Sequence, residues 1–370
     1  MSGPIRAAQV VLPCPDLEAS LRFFTDKLGF RVELVLPADA PKTAVVSGYG
    51  LTLRLEAQDS GDRPSPLNLR LLCDLSALPP GMPRELVGPE GTRAEFVEAE
   101  RPIELPEGRQ EFVLARLGGE EAWGLGRAGM QYRDLIPGRL GGRFVASQIR
   151  IREGGPVPDY VHFHKIRFQM IYCMTGWARL VYEDQGDPFL LNAGDCVLQP
   201  PEIRHRVLES SDSLEVIEIG CPAVHETFAD HDLTLPTLQF RPERRFAGQR
   251  FARHIAASAS WFPWRIAGFE ARDSGIGAAT DGLAGVRVVR PVVGRTAAGP
   301  SSAHGGEFLF LFVLKGVLGV DSAQLGRHRL QAGDCCVIPA RVPHSLAGEP
   351  GLEMLEVTLP ADLTPAVGDR

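Results

Sequence analysis

The stretch DYVHFHKIRFQMIYCMTGW, residues 159–177, contains two histidines one residue apart, His162 and His164. Alternate residues of a β-strand point to the same face, so these two imidazoles can reach one metal ion from a single strand. Gln169 follows five residues after His164, and Gly176 follows seven residues after Gln169. Metal sites of this kind usually carry a carboxylate where Gln169 stands. The stretch therefore predicts a strand of metal ligands accompanied by an amide in place of an acid.

A second stretch ends on a third histidine and recurs near the end of the chain. Residues 194–205 read GDCVLQPPEIRH, and residues 333–344 read GDCCVIPARVPH, with glycine, aspartate, cysteine, proline and histidine at identical spacing. Upstream, His164 lies 12 residues before Gly176, and His304 lies 12 residues before Gly316. A repeated unit of this length predicts two similar domains in tandem. No long amphipathic helix is expected between residues 143 and 359, so each domain is predicted to be an all-β barrel.

The third histidine, His205, decides how the first pair is interpreted. A His-x-His pair alone is more often packed or exposed than bound to metal. A third histidine at the position that the repeat also keeps favours a metal site. Three neutral imidazoles favour Fe, Zn, Ni, Cu or Mn over Mg or Ca. We therefore expect one divalent transition metal per chain.

The motifs HFHKIRFQMIYCMTG and GDCVLQPPEIRH resemble the two signature motifs of the cupin superfamily, and the repeat makes the chain resemble a bicupin. The resemblance implies that His162, His164 and His205 hold the metal, with Gln169 at the position of the family's glutamate. Three-histidine iron sites in cupins occur in dioxygenases that act on gentisate- or salicylate-type rings, β-diketones or thiols. The resemblance therefore implies Fe(II) first, with Zn, Mn or Ni as alternatives, and Gln169 orienting substrate or oxygen.

Gln169 has two interpretations that the sequence leaves open. A neutral amide leaves a three-histidine site with its full +2 charge, which attracts an anionic chelating substrate, and an amide can donate a hydrogen bond. In this case Gln169→Glu is expected to bind metal more tightly and to lose activity. The alternative is a decayed site.

Arg150 and Arg152 share one face of a predicted strand, and we expect them to clamp a substrate carboxylate.

The second copy lacks part of the motif. Ser302 stands at the position of the first histidine and Leu309 at the position of the acid, while His304 and His344 remain. Glu307 could join these two histidines in a vestigial facial triad. The apolar run FLFLFVL predicts a fully buried strand, and we expect a degenerate barrel that supplies packing or dimer surface.

The N-terminal pattern CPDLEASLRFFTDKLGFRVE, closing on GPEGTRAEFVE, resembles the vicinal oxygen chelate (glyoxalase/bleomycin-resistance) superfamily. Asp16 is predicted to cap a helix that Gly29 ends. The ligand positions that the resemblance implies hold Gln9, Asn68 and Glu95, which make a poor divalent-metal site. We expect this domain to be structural and free of metal.

The predicted fold is mainly β, with two tandem cupin jelly-roll barrels after an α+β domain of the vicinal-oxygen-chelate type. The predicted boundaries are 1–101 for the N-terminal domain and 102–140 for a linker with entry strands. The first barrel, with the metal site, is predicted at 141–238 and the degenerate second barrel at 239–370.

Composition excludes several classes of partner. The net charge of -7 argues against nucleic acid, and the lack of an 18-residue apolar run argues against a membrane span. The N-terminus does not resemble a signal peptide, and seven cysteines without paired spacing favour reduced thiols in a cytoplasm. We expect a homodimer that acts as a metal-dependent oxygenase on a small anionic chelating substrate. A non-enzymatic small-molecule sensor and a metal-dependent isomerase or lyase are the alternatives.

Overall fold

The structure, a computed structural model, describes residues 4–14, 16–27, 29–48, 50–58, 68–87 and 93–364. The strands in the N-terminal part are β1 (Ile5–Cys14), β2 (Arg31–Leu36), β3 (Thr43–Gly48), β4 (Leu51–Ala57), β5 (Asn68–Cys73), β6 (Glu85–Val87) and β7 (Arg93–Glu98). The next strands are β8 (Val113–Ala115), β9 (Gly124–Leu125), β10 (Gln131–Asp134), β11 (Val145–Ile151), β12 (Gly155–Pro156), β13 (His162–Lys165), β14 (Phe168–Thr175), β15 (Trp177–Tyr182), β16 (Phe189–Asn192), β17 (Cys196–Leu198), β18 (His205–Ser210), β19 (Leu214–Cys221) and β20 (Glu226–Ala229).

The remaining strands are β21 (Arg245–Phe246), β22 (Gln249–Arg250), β23 (Ala252–His254), β24 (Phe262–Pro263), β25 (Phe269–Asp273), β26 (Gly285–Pro291), β27 (Ala297–Ala298), β28 (Phe308–Lys315), β29 (Val317–Ser322), β30 (Gly326–Gln331), β31 (Cys335–Val337), β32 (Ser345–Gly348) and β33 (Glu353–Leu359). The helices are α1 (Leu17–Arg22), α2 (Arg139–Gly142) and α3 (Ile276–Ala279), and a π-helical turn spans Phe23–Lys27. Short 3-10 turns lie at Leu75–Ala77, Glu120–Ala122, Arg127–Gly129 and Ala256–Ser258. No helix among these elements is long and apolar enough to cross a membrane.

The chain forms two compact units by its internal contacts. The first comprises Met1–Glu104, His162–Lys165 and His225–Leu233, and the second comprises Leu105–Val161, Ile166–Val224 and Thr234–Arg370. The four-segment division expected from the sequence stays a prediction.

The first unit carries the predicted strand, helix and strand of the N-terminal domain. Strand β1 lies between β4 and β5, parallel to the former and antiparallel to the latter, and β5 runs parallel to β7. The Asp16 side chain accepts a hydrogen bond from the backbone of Ala19 at 2.9 Å, as the predicted N-cap requires. The helix gives way to the π-helical turn before Gly29, which adopts a positive φ of 71°. The turn at residues 89–91 lies outside the described residues.

Inside the second unit, the repeat seen in the sequence is a repeat of strand pairing. Strand β14 pairs with β17 and β19, and β19 pairs with β11; strand β28 pairs with β31 and β33, and β33 pairs with β26. The registers also match, because Gln169 lies opposite Gly220 and Leu309 lies opposite Thr358. The two copies are therefore the same arrangement built twice.

The two barrels exchange edge strands. Strand β8, which precedes the first barrel in the chain, pairs with β31 of the second barrel. Strand β23, which lies beyond residue 239, pairs with β17 of the first barrel. Strand β8 was assigned to the linker by the sequence, yet it closes one edge of the second barrel's sheet. Strand β23 was assigned to the second barrel, yet it closes one edge of the first barrel's sheet.

Because side chains point alternately to the two faces of a strand, one face of each long strand packs into a core that both barrels share. Phe168, Met170 and Tyr172 lie in this shared core with Phe308 and other apolar side chains of both copies. Phe144 stacks on Phe308 with ring centroids 4.1 Å apart. The opposite faces line the interior of each barrel. Residues 308–313 of the run FLFLFVL are buried and its last residue, Leu314, is half-buried, so the predicted buried strand is confirmed except at its end.

Candidate metal centre

Three histidines of the predicted site come together. The metal-ligating nitrogen atoms of His162, His164 and His205 lie within 4.8 Å of one another, and all three side chains are buried. Strand β13 alternates buried and half-buried residues, so both of its histidines face the same side. This trio is the one cluster of three or more ligand-type side chains in the described part of the chain.

The orientation of two of the imidazoles is fixed by groups behind them. Thr227 Oγ1 lies 3.1 Å from Nδ1 of His164, and the carbonyl oxygen of Ile203 lies 2.9 Å from Nδ1 of His205. A metal-ligating histidine usually has its second ring nitrogen held by a hydrogen-bonding partner of this kind. The arrangement leaves Nε2 of His164 and of His205 as the candidate ligand atom.

Burial also sets the charge of His205. Because its ring is almost removed from water, burial lowers the pKa of His205 to about 4. The ring is therefore neutral at pH 7, which is the form that binds a metal ion. Tyr182 stacks on this ring with centroids 5.5 Å apart and helps to exclude water. The donor set, its burial and its fixed rings fit one divalent transition metal.

Two amides and one acid occupy the same barrel interior. Gln169 is buried at 2% exposure, and its Nε2 donates to Oε1 of Glu218 at 2.5 Å. Glu218 lies on β19 opposite Ile171, the residue two positions after Gln169 on the same face of β14. The carboxylate that is missing at position 169 is thus present one strand away.

Gln199 is the second amide, and the sequence interpretation missed it. Its Nε2 lies 2.6 Å from Nε2 of His205, and its backbone NH donates to the carbonyl of Gln169. Because Nδ1 of His205 faces the Ile203 carbonyl, Nε2 is the acceptor for this amide. A metal ion at the trio therefore needs the Gln199 amide to move aside.

The predicted carboxylate clamp faces away from this interior. Arg150 and Arg152 both pair with the exposed Glu120, and Arg150 lies over the ring of Trp123 at 3.9 Å. The neighbouring Ile149 is part of the interior core, so strand alternation turns Arg150 to the other face. The geometry gives no support to a substrate clamp by these two arginines.

An arginine that the sequence interpretation did not single out lies nearer to His205. Arg127 forms an ion pair with Asp159 at 2.6 Å, and the charges of both residues act on the pKa of His205. Burial lowers the pKa of Arg127, but the Asp159 carboxylate together with Tyr160 and Tyr132 raises that pKa above its usual value. This pair is a fixed dipole behind His205.

The second copy does not assemble the vestigial triad. Nε2 of His304 lies 3.0 Å from the carbonyl of Ile338, and Nδ1 accepts from the backbone NH of Gly306, so both ring nitrogens are used. Glu307 turns to two arginines instead: Oε1 accepts from Nε of Arg143 at 2.6 Å, and Oε2 lies 3.0 Å from Arg167. The reason is that Glu307 immediately precedes β28, where it can reach the first barrel's arginines.

In the N-terminal domain, the structure describes the side chains at two of the three positions that the resemblance implies. Gln9 is buried, and Glu95 forms an ion pair with Arg70 at 3.3 Å. The placement of the Asn68 side chain lies outside the described part.

Comparisons with known proteins find one similar family by sequence and several similar folds by structure. Residues 6–102 match the model of the Glyoxalase/Bleomycin resistance protein/Dioxygenase superfamily. No curated protein sequence is significantly similar to the chain. A salicylate 1,2-dioxygenase from Pseudaminobacter salicylatoxidans is similar in structure at 16% identity with a TM-score of 0.50, over 69% of this chain and 86% of that one.

A second structure of salicylate 1,2-dioxygenase from that source, with gentisate adducts, gives 16% identity and a TM-score of 0.50 over 71% and 87% of the two chains. At this identity the similarity concerns the fold. The chain therefore combines an N-terminal domain of the glyoxalase/bleomycin-resistance type with two tandem β-barrels whose fold is similar to that of salicylate 1,2-dioxygenase, and the sequence motifs predicted both parts.

Proposed function

We propose that the protein is a metal-dependent oxygenase that acts on a small anionic chelating substrate, with Fe(II) as its metal. The observation that carries the proposal is the buried trio of His162, His164 and His205. The similarity in fold to salicylate 1,2-dioxygenase is consistent with it. An Fe(II) ion held by the trio would supply electron transfer between a chelated substrate and dioxygen.

The residues of the chain bind, orient and exclude water. His162, His164 and His205 would hold the metal through their imidazole nitrogens, and Thr227 and the carbonyl of Ile203 keep two of the rings in position. Apolar residues of the first-barrel core, including Val197 and Leu180, surround the interior and keep it dry. A dry interior strengthens the attraction between the metal charge and an anionic substrate.

The negative charge near the site is carried by Glu218, which Gln169 contacts through a hydrogen bond. A carboxylate at position 169 would bind the metal and take a coordination position. With the acid on β19, the histidine trio would leave room on a bound metal for a chelating substrate, and Glu218 would offset part of the metal charge. Glu218 also fixes the amide, because Nε2 donates to the carboxylate and the amide oxygen then faces the other way.

The protein is first loaded with Fe(II) under anaerobic conditions. Its consumption of oxygen is then measured in the presence of candidate substrates. The panel of substrates contains β-diketones, hydroxybenzoates and hydroxy acids, and the cell contains an oxygen electrode. We expect one class to drive oxygen uptake, which is lost when zinc replaces iron and in the His162→Ala variant.

Each other outcome assigns a different function. Turnover without oxygen, or equal turnover with zinc, identifies a metal-dependent isomerase or lyase. Tight binding of a panel member without turnover under any metal identifies a binding or sensor protein. Either result overturns the oxygenase.

A further inference from the structure

The second barrel contains a cavity whose lining includes none of the three histidines of the metal centre. Its volume is about 410 Å³, which lies within the usual range of 300–1,000 Å³ for small-molecule sites. Leu309, His304 and His344 form its buried floor, and Arg265, Ser302 and Thr364 stand at its exposed rim. The cavity is therefore a concave pocket with one leucine and two histidines at its base and polar groups at its rim.

Arg265 is held in one orientation at the rim. Its guanidinium forms an ion pair with Glu356, a residue with no exposure to solvent, and lies 4.0 Å over the ring of Trp264. Trp264 in turn donates through Nε1 to Glu356 at 3.2 Å. In the described part of the chain, Glu356 is the one acid that pairs with Arg265. A guanidinium has five N–H donors, so an edge remains for a ligand carboxylate.

The two histidines on the floor differ in what they offer. His304 uses both ring nitrogens in bonds to the backbone. His344 donates through Nδ1 to the carbonyl of Val342 at 2.9 Å, which leaves Nε2 as an acceptor. Ser302 pairs with His344 across an antiparallel bridge, so its hydroxyl lies on the same face. The floor can thus accept a hydrogen bond from a ligand hydroxyl.

We propose that this cavity binds a small organic hydroxy-carboxylate, with the carboxylate on Arg265 and the hydroxyl at His344. The cavity accommodates a ligand of about one aromatic ring. The site holds no metal, because one of its two histidines has no free ring nitrogen. The proposal is independent of the function proposed for the first barrel, since it needs neither metal nor turnover.

The test is calorimetric titration of the full-length His162→Ala variant with 3-hydroxybenzoate. We expect one saturable site per chain. The neutral isostere 3-hydroxybenzamide is expected to bind at least about tenfold more weakly, because Arg265 recognises the charge. Wild-type protein treated with a chelator is expected to give the same affinity as the variant.

Two variants assign the binding to the cavity. Arg265→Met/Glu356→Leu removes both charges together, which avoids leaving a buried unpaired carboxylate, and is expected to weaken binding at least about tenfold. Ser302→Phe fills the exposed rim without entering the core and is expected to abolish binding. This variant tests the cavity even if the double variant does not fold. Absence of saturable binding, equal binding of acid and amide, or unchanged binding in Ser302→Phe overturns the proposal.

Discussion

The two barrels share a backbone plan and differ in what faces their interiors. Where the first barrel places the amides of Gln169 and Gln199, the second places Leu309 and Ile338 at the same points of the repeat. In both copies the backbone NH of the second residue donates to the carbonyl of the first. The difference teaches that two interiors can differ in chemistry through their side chains where the pairing of the strands is shared.

One acid is common to both interiors, and its partner decides what it does. Glu218 and Glu356 occupy the same register positions on β19 and β33, opposite Ile171 and Leu311. In the first barrel the carboxylate holds an amide beside the histidine trio. In the second it holds Arg265 at the rim of the cavity. The same position thus serves a cation site in one copy and an anion site in the other.

Metal content gives the largest expected difference between the barrels. His162→Ala or His205→Ala is expected to remove most of about one metal per chain, because two imidazoles retain a divalent ion poorly. His304→Ala and His344→Ala are matched controls in the second barrel and are expected to leave the metal unchanged. Elemental analysis of purified protein measures the effect. Full metal in His205→Ala, or two ions per wild-type chain, contradicts the assignment.

Moving the carboxylate tests the Glu218 position. Glu218→Gln removes the charge next to Gln169 and is expected to weaken Co(II) or Mn(II) binding about 10–100-fold, the usual effect of losing such a partner. The exchange Gln169→Glu/Glu218→Gln keeps one acid and one amide and is expected to restore affinity. Gln169→Glu alone, which the sequence predicts to tighten binding, now places two carboxylates together and favours protonation of one.

Metal affinity from calorimetry and the absorption spectrum of the Co(II) form measure these three variants. Unchanged affinity in Glu218→Gln means that this acid has only a structural role.

Loss of the ion pairs between Glu307 of the second barrel and Arg143 and Arg167 of the first is expected to raise the equilibrium constant for unfolding about tenfold. Arg143 and Arg167 outweigh burial and hold the pKa of Glu307 below its usual value. A depressed folded-state pKa stabilises the protein above the unfolded pKa of about 4.3, and this stability is lost as the pH falls through the folded-state pKa. Glu307→Gln is therefore expected to cost about 1.5 kcal/mol at pH 7.

Denaturant unfolding at several pH values checks the assignment. The difference between wild type and Glu307→Gln is expected to disappear below the depressed pKa, and Glu349→Gln, at an exposed pair with Arg329, serves as the control. A difference that persists in strong acid shows that the cost is one of packing.

Gln199 gives the smallest expected effect. Gln199→Ile installs the residue of the second barrel and removes the amide that contacts Nε2 of His205. Metal binding no longer has to break that bond, so affinity is expected to rise about fivefold, which corresponds to a net hydrogen bond of about 1 kcal/mol. A fall in affinity instead identifies Gln199 as a group that binds or orients the metal.

The sequence predicted the features that lie within contiguous motifs. The histidine trio, the N-cap at Asp16 and the buried strand at 308–313 follow from local spacing and strand alternation, and the structure confirms the last two and brings the trio together. Glu218 was missed because it lies 13 residues after His205, outside both motifs. The stretch LEVIEIGC held a signal, since glutamates three positions apart face opposite sides of a strand and one has to point inward.

The errors concern side chains whose partners are distant in sequence. Arg150 was assigned to the substrate by its type, but its strand neighbour Ile149 takes the interior face, and Glu120 pairs with Arg150 from 30 residues upstream. Glu307 was placed with two histidines of its own copy, and arginines 140 and 164 residues away bind it instead. Spacing alone does not reveal contacts of this length.

The exchange of edge strands gives the polypeptide an order of assembly on the ribosome. Strand β8 is synthesised before the first barrel, and its partner β31 follows roughly 220 residues later, a delay of about 10–40 s at ordinary rates of translation. Until then, the backbone N–H and C=O groups that β8 will use stay unpaired. A gene fragment that ends before residue 335 never supplies the partner, and one that begins after residue 115 leaves β31 with an open edge. Each barrel therefore needs a segment that lies outside its own predicted bounds to complete its sheet, although the repeat makes the two look separable.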